Sequence, residues 1–561
     1  MINTENYVAD IHEIRQSEKN VAEQSILLKQ LLERVSKEIT KNEAMQFPTL
    51  FARLVFIAQK YNLPKQTEWH LQNFRVKIKD QRKKNLRITQ KTYNNAERAV
   101  LDLCNAVSRG ITEVENLTDE KISKDTIVEE SEGKELTFLP AENGALRVQI
   151  LSIDRKKSLL TCAVENSPGT QIVVRYNVTP DNNLFNESIA YFEEGAQLNL
   201  IDFTTDKYGY FVPKKIVLEP DYLIDASAIA NCFHNYSVSH LHYFMNKFEL
   251  MENRSYLLLG NLANYFLDEL IFADNPQELS FDDVFFRSFK QSPFEYATCE
   301  DIQLNENFHA FMTKAEIQFE NIRRVITVDF PNQNIDARKS TLEPSFFSEK
   351  YGFQGRLDLL QIGEKNRPYK IIELKSGRLP FPSNDPGKIA LSHEVQTAVY
   401  RMMIESVYNQ TSRNIDAAIL YSAGEYPGQN LRFAAVYQNL EKEILNIRNL
   451  IVSNEYQITQ GTVEEVEAQF KNLSTLMNTT ERIPDFFVQK ILKIQDTLAQ
   501  CSELERTYFF RFVQFISKEL YLQKIGDIVH ESPTGVAALW NSEFWERAES
   551  LDLLFDLQIA S

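Results

Sequence analysis

The segment GFQGRLDLLQIGEKNRPYKIIELKSG (352–377) holds two apolar runs on either side of a polar turn. RLDLLQI and YKIIELK have the composition of strands, and GEKNRP between them is rich in turn residues, so the segment predicts a β-hairpin. With the hairpin centred between Lys365 and Asn366, Asp358 and Glu373 are equidistant from the centre and lie opposite each other. Directly opposed residues have Cβ atoms about 4.5–5.5 Å apart. We therefore expect the two carboxylates to be close neighbours.

This pair of acids predicts a divalent metal site. Two carboxylates at that separation repel, and burying both is costly unless a cation lies between them. A divalent ion with oxygen ligands, and with positions left for water and phosphate, resolves that conflict. Lys375 follows Glu373 by two residues and so projects from the same strand face. Its ammonium can orient an attacking water or neutralise charge on a phosphate.

The other face of the hairpin is expected to be packed. Its alternating residues are apolar: Leu357, Leu359, Ile372 and Leu374. The competing interpretation is a surface hairpin carrying an ordinary ladder of charges, since Glu-x-Lys on a strand is common.

The next element, LSHEVQTAVYRMMIESVY (391–408), predicts a helix near 391–407 with Ser392 as its N-cap. Gln396 and Tyr400 are four residues apart and share one face. An amide and a phenol on one ridge suit contact with a phosphate or a splayed base, although such a pair also occurs in ordinary interfaces. The buried stripe is expected to be Val395, Val399, Met402 and Met403.

Hydrophobic periodicity predicts how the rest of the chain is organised. Helical spacing recurs in 23–39, 51–61 and 96–107, and a charged linker follows at 118–135. Short strand-like segments then predict a small antiparallel barrel or sandwich. An OB-like barrel would suit single-stranded nucleic acid, but periodicity does not select it over other small barrels. The expected regions are helical (1–130), barrel (131–222), mixed αβ (223–440) and again helical (441–561).

A basic run lies within the first helical region, and it has two interpretations. It is either a solvated helix face or a surface that tracks phosphates. Its members are Arg75, Lys77, Lys79, Arg82, Lys83, Lys84, Arg87 and Lys91.

Length and composition limit the classes of protein to which the chain can belong. A chain of 561 residues suggests roughly three to four domains. Its net charge of −17 does not favour nucleic acid, but a local basic groove and bound cations would suffice. The five cysteines lack CxxC spacing, the N-terminus lacks an apolar stretch, and there is no 18-residue apolar run. We therefore expect a cytoplasmic protein without disulfides, zinc ribbon, secretion signal or membrane span. No GxxxxGK[ST] motif occurs, so no ATP motor is expected.

The order Gly-x-x-Asp, Glu-x-Lys and Gln-x-x-x-Tyr resembles the RecB-like branch of the PD-(D/E)XK nucleases, which includes the Cas-four and AddB nucleases. The likeness is greatest to the nuclease half of Dna-two nuclease–helicases. It is carried by YGFQGRLD (351–358), ELKSG (373–377) and SHEVQTAVY (392–400). Upstream, LEPDYLIDASAIANCF (218–233) and YLLLGNLANYFLDEL (256–270) are similar to the family's junction and first nuclease helix.

The resemblance implies a multidomain α+β protein: a helical N-terminal region, an OB-like barrel, a restriction-endonuclease-like αβ core and a helical C-terminal extension. It also implies hydrolysis of phosphodiester bonds in single-stranded or flapped DNA with Mg2+ or Mn2+. Asp358 and Glu373 would be metal ligands, joined by the Leu374 carbonyl, and Lys375 would be the catalytic lysine. The substrate-side residues would be Gln396, Tyr400 and the family-like His393, with Gln396 and Tyr400 contacting DNA or bracing the site.

Two departures from the family pattern modify these expectations. The family's metal-binding histidine falls four residues after Gly260, where this chain has Asn264, and Asp268 one turn later is the candidate replacement. Many relatives hold a [4Fe–4S] cluster with one upstream cysteine and three cysteines after the Gln-x-x-x-Tyr helix. Cys232 matches the upstream position, but only Cys501 follows that helix here, so no cluster is expected and Cys232 is predicted to be a core residue. A local group, His234, His240 and His242, has no standard zinc spacing and is expected to pack or face solvent.

Three functional hypotheses follow, the last of which is an interaction protein whose barrel and helices matter more than the site. One is an active nuclease, expected as part of a longer nuclease–helicase chain or as a partner of a helicase in trans. Another is a catalytically weak nuclease fold that binds DNA as a scaffold for a helicase. The intact acids and Lys375 favour the first, and Asn264 favours the second.

Overall fold

The structure is a computed structural model that contains both a helical and a mixed αβ part. It describes residues 4–43, 45, 47–84, 88–114, 144–249, 252–364, 367–424, 428–478, 481–526 and 535–541. The chain divides into two compact units: 1–222 with 452–466 and 507–561, and 223–451 with 467–506. The linker expected at 118–135 lies outside the described residues.

The first unit begins with five helices whose apolar faces share one core. They are α1 (Thr4–Gln16), α2 (Val21–Thr40), α3 (Leu50–Lys60), α4 (Lys65–Lys84) and α5 (Gln90–Val114). The helix α2 begins at a capping box, in which the Asn20 side chain accepts from Glu23 N and the Glu23 carboxylate accepts from Asn20 N. Leu28, Phe74 and Val100 lie fully inside the core. The helices expected within 23–39 and 96–107 are thus present with longer ends, and the helix expected at 51–61 is present one residue earlier.

The side chains of the basic run on α4 do not all face solvent. Arg75 is only 6% exposed, and its guanidinium donates to the Glu165 carbonyl (2.5 Å) and lies 3.5 Å from the Glu165 carboxylate. Lys77 donates to Thr92 Oγ1. The phosphate-tracking interpretation is therefore wrong for Arg75, because its charge is paired internally. Most of the remaining side chains of the run lie outside the described residues: Lys79, Arg82, Lys83, Lys84 and Arg87.

The strands of the first unit form a closed five-stranded barrel in the order β1-β2-β3-β5-β4. They are β1 (Ala145–Asp154), β2 (Leu159–Val164), β3 (Gln171–Arg175), β4 (Gln197–Thr205) and β5 (Phe211–Leu218), with the short helix α6 (Asn186–Ile189) between β3 and β4. All pairings are antiparallel except β3 with β5, where Val174 pairs with Phe211 in parallel. The expected small β unit is therefore a barrel and not a sandwich.

The second unit is built on a mixed five-stranded sheet in the order β15-β14-β13-β12-β9 and a three-stranded sheet in the order β10-β11-β6. Its strands are β6 (Ile224–Asp225), β7 (Phe233–His234), β8 (Ser237–Val238), β9 (Ser340–Leu342), β10 (Ser345–Ser348), β11 (Phe353–Arg356), β12 (Leu359–Gln361), β13 (Tyr369–Lys375), β14 (Ile415–Tyr421) and β15 (Leu431–Ala434). Its helices are α7 (Ala226–Ala230), α8 (Leu241–Asn246), α9 (Ser255–Phe272), α10 (Phe281–Gln291), α11 (Pro293–Thr298), α12 (Asn305–Arg324), α13 (Phe330–Asn332) and α14 (Leu391–Val407).

The five-stranded sheet is covered by helices. On one face, Leu359, Ile372 and Leu374 enter the same core as α9, α10 and α12. β13 and β14 run parallel and are joined through α14, a βαβ connection. The predicted packed face of the hairpin is confirmed, because Leu357, Leu359, Ile372 and Leu374 are all buried.

The C-terminal part is mostly helical in the residues that the structure describes. The helices are α15 (Gln438–Gln460), α16 (Val463–Asn472), α17 (Asp485–Gln500), α18 (Glu503–Ile525) and α19 (Ala538–Asn541). None of the helices in the described ranges combines the length and the apolar character needed to cross a bilayer.

Candidate active site

The hairpin that carries the two acids has the predicted register. Leu359 pairs with Ile372 and Leu360 with Ile371, so the strands are centred as the sequence indicates. Continuing this register by one residue brings Asp358 opposite Glu373. The Asp358 Oδ2 accepts a hydrogen bond from Leu374 N at 2.6 Å, which ties the acid to the backbone of the facing strand.

Both carboxylates lie in surroundings that disfavour their charge. Glu373 is 4% exposed, and burial followed by the repulsion of Asp358 raises the pKa of its carboxyl group. Burial also raises the pKa of Asp358, against the hydrogen bond from Leu374 and the charge of Lys375. The pair therefore requires positive charge nearby to remain fully ionised.

Lys375 supplies part of that charge. Its Nζ donates to Glu373 Oε1 at 2.9 Å, as expected for residues two apart on one strand face. The Lys375 side chain retains 23% of its exposure, so one end of the site is open to solvent while Glu373 is enclosed.

Gln396 and Tyr400 brace the acids from α14. Gln396 Nε2 lies 2.7 Å from Glu373 Oε1 and 2.9 Å from the Tyr400 hydroxyl, to both of which it can donate. The Tyr400 hydroxyl in turn donates to the Arg356 carbonyl at 2.9 Å. Gly355 permits this approach, since a Cβ there would lie 3.0 Å from a ring carbon of Tyr400.

The helix α14 has the expected span and buried stripe, but a different N-cap. Val395, Val399, Met402 and Met403 are completely buried. The extended residue before the helix is Ala390, without a side-chain cap, so the prediction of Ser392 as N-cap is wrong. The cause is that the helix already starts at Leu391, which places Ser392 inside its first turn.

His393 lies beside the site and is held neutral. Its Nδ1 is 2.9 Å from the Tyr421 hydroxyl on β14. Burial and then the charge of Lys375 lower the pKa of His393 to about 4. At neutral pH this side chain is therefore a hydrogen-bonding imidazole and not a cation.

The helix α9 crosses the site close to the end of β13. A Cβ on Gly260 would lie 3.3 Å from Ser376 Oγ, which shows how near the two backbones are. Asn264 and Asp268 follow at four-residue intervals on the same helix face. Burial, then Glu343 and Asp358, raises the pKa of Asp268 to about 6, so Asp268 stands within electrostatic reach of Asp358.

Two oxygen atoms at this site fit a metal ion. Glu373 Oε2 and Asn264 Oδ1 are both buried and have no hydrogen-bond partner. Unsatisfied buried acceptors are costly, and both are of the hard oxygen type that Mg2+ and Mn2+ prefer. Across the described ranges, no three His, Cys, Asp or Glu side chains are placed to hold a metal together. The candidate donors are thus the Asp358 and Glu373 carboxylates and the Asn264 amide, with the Leu374 carbonyl that the resemblance adds.

The comparison with protein families agrees with this chemistry. Residues 275–503 match the PD-(D/E)XK nuclease superfamily. The matched segment contains Asp358, Glu373, Lys375, Gln396 and Tyr400, and α9 with Asn264 precedes it. The mixed αβ part of the chain is therefore similar to PD-(D/E)XK nucleases over residues 275–503. No curated protein matches the chain.

The mixed αβ part also contains residues that position the site and that were not found from the sequence. Gln318 on α12 is buried, donates to the Ser376 carbonyl at 3.2 Å and accepts from Ser422 Oγ at 2.8 Å. The Ser422 N–H donates to the Lys375 carbonyl. This network holds the end of β13, and therefore Lys375, against β14. Its only sequence signal is a glutamine among apolar neighbours on α12.

Outside the site, the cysteine and histidine expectations can be compared with the structure. Cys232 is buried in the core, as predicted, and burial raises the pKa of its thiol to about 12. His234 stacks on Tyr236 and meets His242 edge to face, with Phe487 against them. Burial lowers the pKa of His240 to about 4 and of His242 to about 3. These histidines are packing residues, as expected.

Proposed function

We propose that this protein is a metal-dependent nuclease that hydrolyses phosphodiester bonds of single-stranded or flapped DNA, using Mg2+ or Mn2+. The observation that carries the proposal is the pairing of Asp358 with Glu373 beside Lys375, with Glu373 Oε2 left unsatisfied. The match to the nuclease superfamily supports this chemistry.

Each oxygen of Glu373 has a separate task in this proposal. Oε1 accepts from Lys375 and Gln396, and these two bonds fix the orientation of the carboxylate. Oε2 has no hydrogen-bond partner, and a cation would be held by Asp358, Glu373 and the Leu374 carbonyl, with Asn264 Oδ1 as a further candidate ligand. When bound, a divalent cation would supply charge that stabilises the developing negative charge on the phosphate.

Lys375 acts at the open end of the site. Its ammonium orients the attacking water and balances charge on the phosphate oxygens. Gln396 and Tyr400 serve as braces, because their polar groups are used within the protein, and His393 supports β14 through Tyr421. DNA would therefore meet Lys375 before it meets α14.

The RecB-like resemblance supports a finer proposal. We infer a nuclease of the Dna-two type, working with a helicase in the same longer chain or in trans, in the cytoplasm. The support is the order of sequence motifs together with the barrel that precedes the segment similar to PD-(D/E)XK nucleases.

The second candidate is a DNA-binding scaffold with weak or no catalysis. Asn264 favours it, because a neutral amide binds metal less strongly than an acid or imidazole, and no third acidic or histidine ligand joins the pair in the part of the chain that the structure describes. Metal affinity therefore separates the two candidates.

The test compares wild type with Lys375→Ala on labelled single-stranded, flapped and duplex DNA, with Mg2+, Mn2+ or EDTA. Lys339→Ala, at a solvent-exposed ion pair with Glu364, is the matched lysine control. Metal-dependent cleavage by wild type and the control, lost in Lys375→Ala, would support the nuclease. DNA binding without cleavage by any of the three proteins would establish the scaffold instead.

A further inference from the structure

One end of the barrel presents two tyrosines with a cation between them. The hairpin that joins β4 to β5 carries Tyr208 and Tyr210, whose ring centroids are 5.9 Å apart. The guanidinium carbon of Arg175 lies 5.2 Å from the Tyr208 ring and 4.9 Å from the Tyr210 ring. Tyr208 is 60% exposed, and Lys207 Nζ lies 5.0 Å from its ring. More than half of the Tyr208 side chain is thus left open to solvent, although cations lie beside its ring.

The hairpin is held in one conformation by Asp206. Its Oδ1 accepts from the backbone N–H groups of Tyr208 (2.8 Å) and Tyr210 (3.0 Å), and its Oδ2 lies 3.0 Å from Arg175. Gly209 adopts φ +75°, which the tight turn requires. Because Asp206 holds the loop through bonds within the chain, a molecule that binds the tyrosines meets a loop that is already ordered.

Strand register places a basic turn at the same end of the barrel. Asp154, the last residue of β1, pairs with Leu159, and Leu159 pairs with Arg175. The β1–β2 turn and the β4–β5 hairpin therefore flank Arg175, since β5 begins next to the end of β3. Residues 154–157, 175 and 206–207 contain five cations and two acids, in a chain of net charge −17. Lys156 and Lys157 are exposed.

We propose that this end of the barrel binds single-stranded nucleic acid, with bases stacked on Tyr208 and Tyr210 and phosphates contacted by Lys156, Lys157 and Lys207. Exposed aromatic rings beside cations are the general means of binding unpaired bases, and duplex bases cannot reach such rings. The proposal deepens the proposed function by adding a substrate-holding surface apart from the acids.

The test measures binding without cleavage. A labelled oligothymidylate of about 12 nucleotides is titrated with full-length protein in EDTA, by fluorescence anisotropy. Tyr208→Ala is expected to weaken binding by about 5- to 150-fold, the loss of one stacked base. Tyr208→Phe keeps the ring and is expected to bind like wild type. Thermal unfolding followed by circular dichroism shows whether each variant folds.

The salt dependence of binding and the preference for single strands over duplex are two further, independent measurements. Changing both Lys156→Gln and Lys157→Gln should reduce the slope of log affinity against log salt by about 1.4, the release expected from two phosphates of a single strand. An oligouridylate arm distinguishes RNA from DNA, and duplex DNA should bind more weakly than either. Equal affinities of wild type and Tyr208→Ala, or tighter binding of duplex, would overturn the proposal.

The outcome is separable from that of the nuclease. Because EDTA removes the metal, loss of binding in Tyr208→Ala supports the barrel surface even if no cleavage is found with Mg2+ or Mn2+. Conversely, cleavage that needs Lys375 while Tyr208→Ala binds normally would uphold the nuclease and reject the barrel surface.

Discussion

Glu373 is constrained through one oxygen, and that constraint can be tested at Gln396. Removing the amide with Gln396→Ala frees Glu373 Oε1 from one of its two donors. Partners that orient a metal ligand are worth about 10- to 100-fold in metal affinity or activity. We expect the Mg2+ concentration for half-maximal cleavage to rise within that range. Gln410→Ala, just beyond the end of α14, should leave it unchanged.

Asn264 offers a second test at the scale of one residue. If its unpartnered Oδ1 holds the cation, Asn264→Ala should weaken Mn2+ binding about tenfold, equivalent to about 1.4 kcal/mol. Asn264→His, which adds a stronger nitrogen donor, should strengthen it. Isothermal titration with Mn2+ measures both directly. An unchanged affinity in both variants would remove Asn264 from the metal site.

At the scale of elements, the helices behind the sheet fix the site through a cluster of phenylalanines. Phe319 on α12 is fully buried and meets Phe266 of α9 edge to face, with centroids 5.1 Å apart. Phe319→Ala should lower the free energy of unfolding by about 3–5 kcal/mol, because it leaves a cavity where two helices pack. Phe272→Ala, at a ring that is 77% exposed, should change it by less than about 0.5 kcal/mol. Urea denaturation followed by circular dichroism compares the two.

Elements differed in how far local sequence predicted them. The span of α14 followed from its apolar spacing, because a buried stripe at helical intervals leaves little choice of phase. The N-cap was mispredicted, since Ser392 and Ala390 are both compatible with a helix start and the loop before the helix decides between them. The same limit applies to Arg75, whose burial depends on Glu165 of the barrel.

At the scale of the whole molecule, buried neutral histidines predict loss of stability in acid. His240 and His242 have pKa values of about 4 and about 3 in the folded protein, below the ordinary value near 6.5. Their contribution is complete above pH 6.5, and it is lost as the pH falls towards their folded values, because only the unfolded chain then binds the protons. Each adds up to about 1.4 kcal/mol of destabilisation per pH unit in that window.

The measurement is the midpoint of urea denaturation between pH 7.5 and pH 4.5. His242→Gln should make this pH dependence shallower than in wild type, whereas His309→Gln, at an exposed position on α12, should not. A wild-type slope in both variants would show that the group at His242 does not couple acid to unfolding.

The sequence was enough to predict which side chains of the hairpin lie next to one another. Alternation of side chains along a strand fixes which residues share a face, so the opposition of Asp358 and Glu373 and the placement of Lys375 follow from the turn position alone. The packed face at Leu359 and Ile372 follows from the same period.

The residues that surround the hairpin could not be predicted from the sequence, because they depend on tertiary packing. The Gln318 network behind Lys375, the approach of Asp268 on α9 to Asp358, and the meeting of Arg175 with Tyr208 all join residues far apart in the chain. Local periodicity carries no information on such pairs, because they depend on how whole elements pack against one another. Of the two roles expected for Gln396 and Tyr400, DNA contact or bracing, their hydrogen bonds within the site favour bracing, and only packing shows where those bonds go.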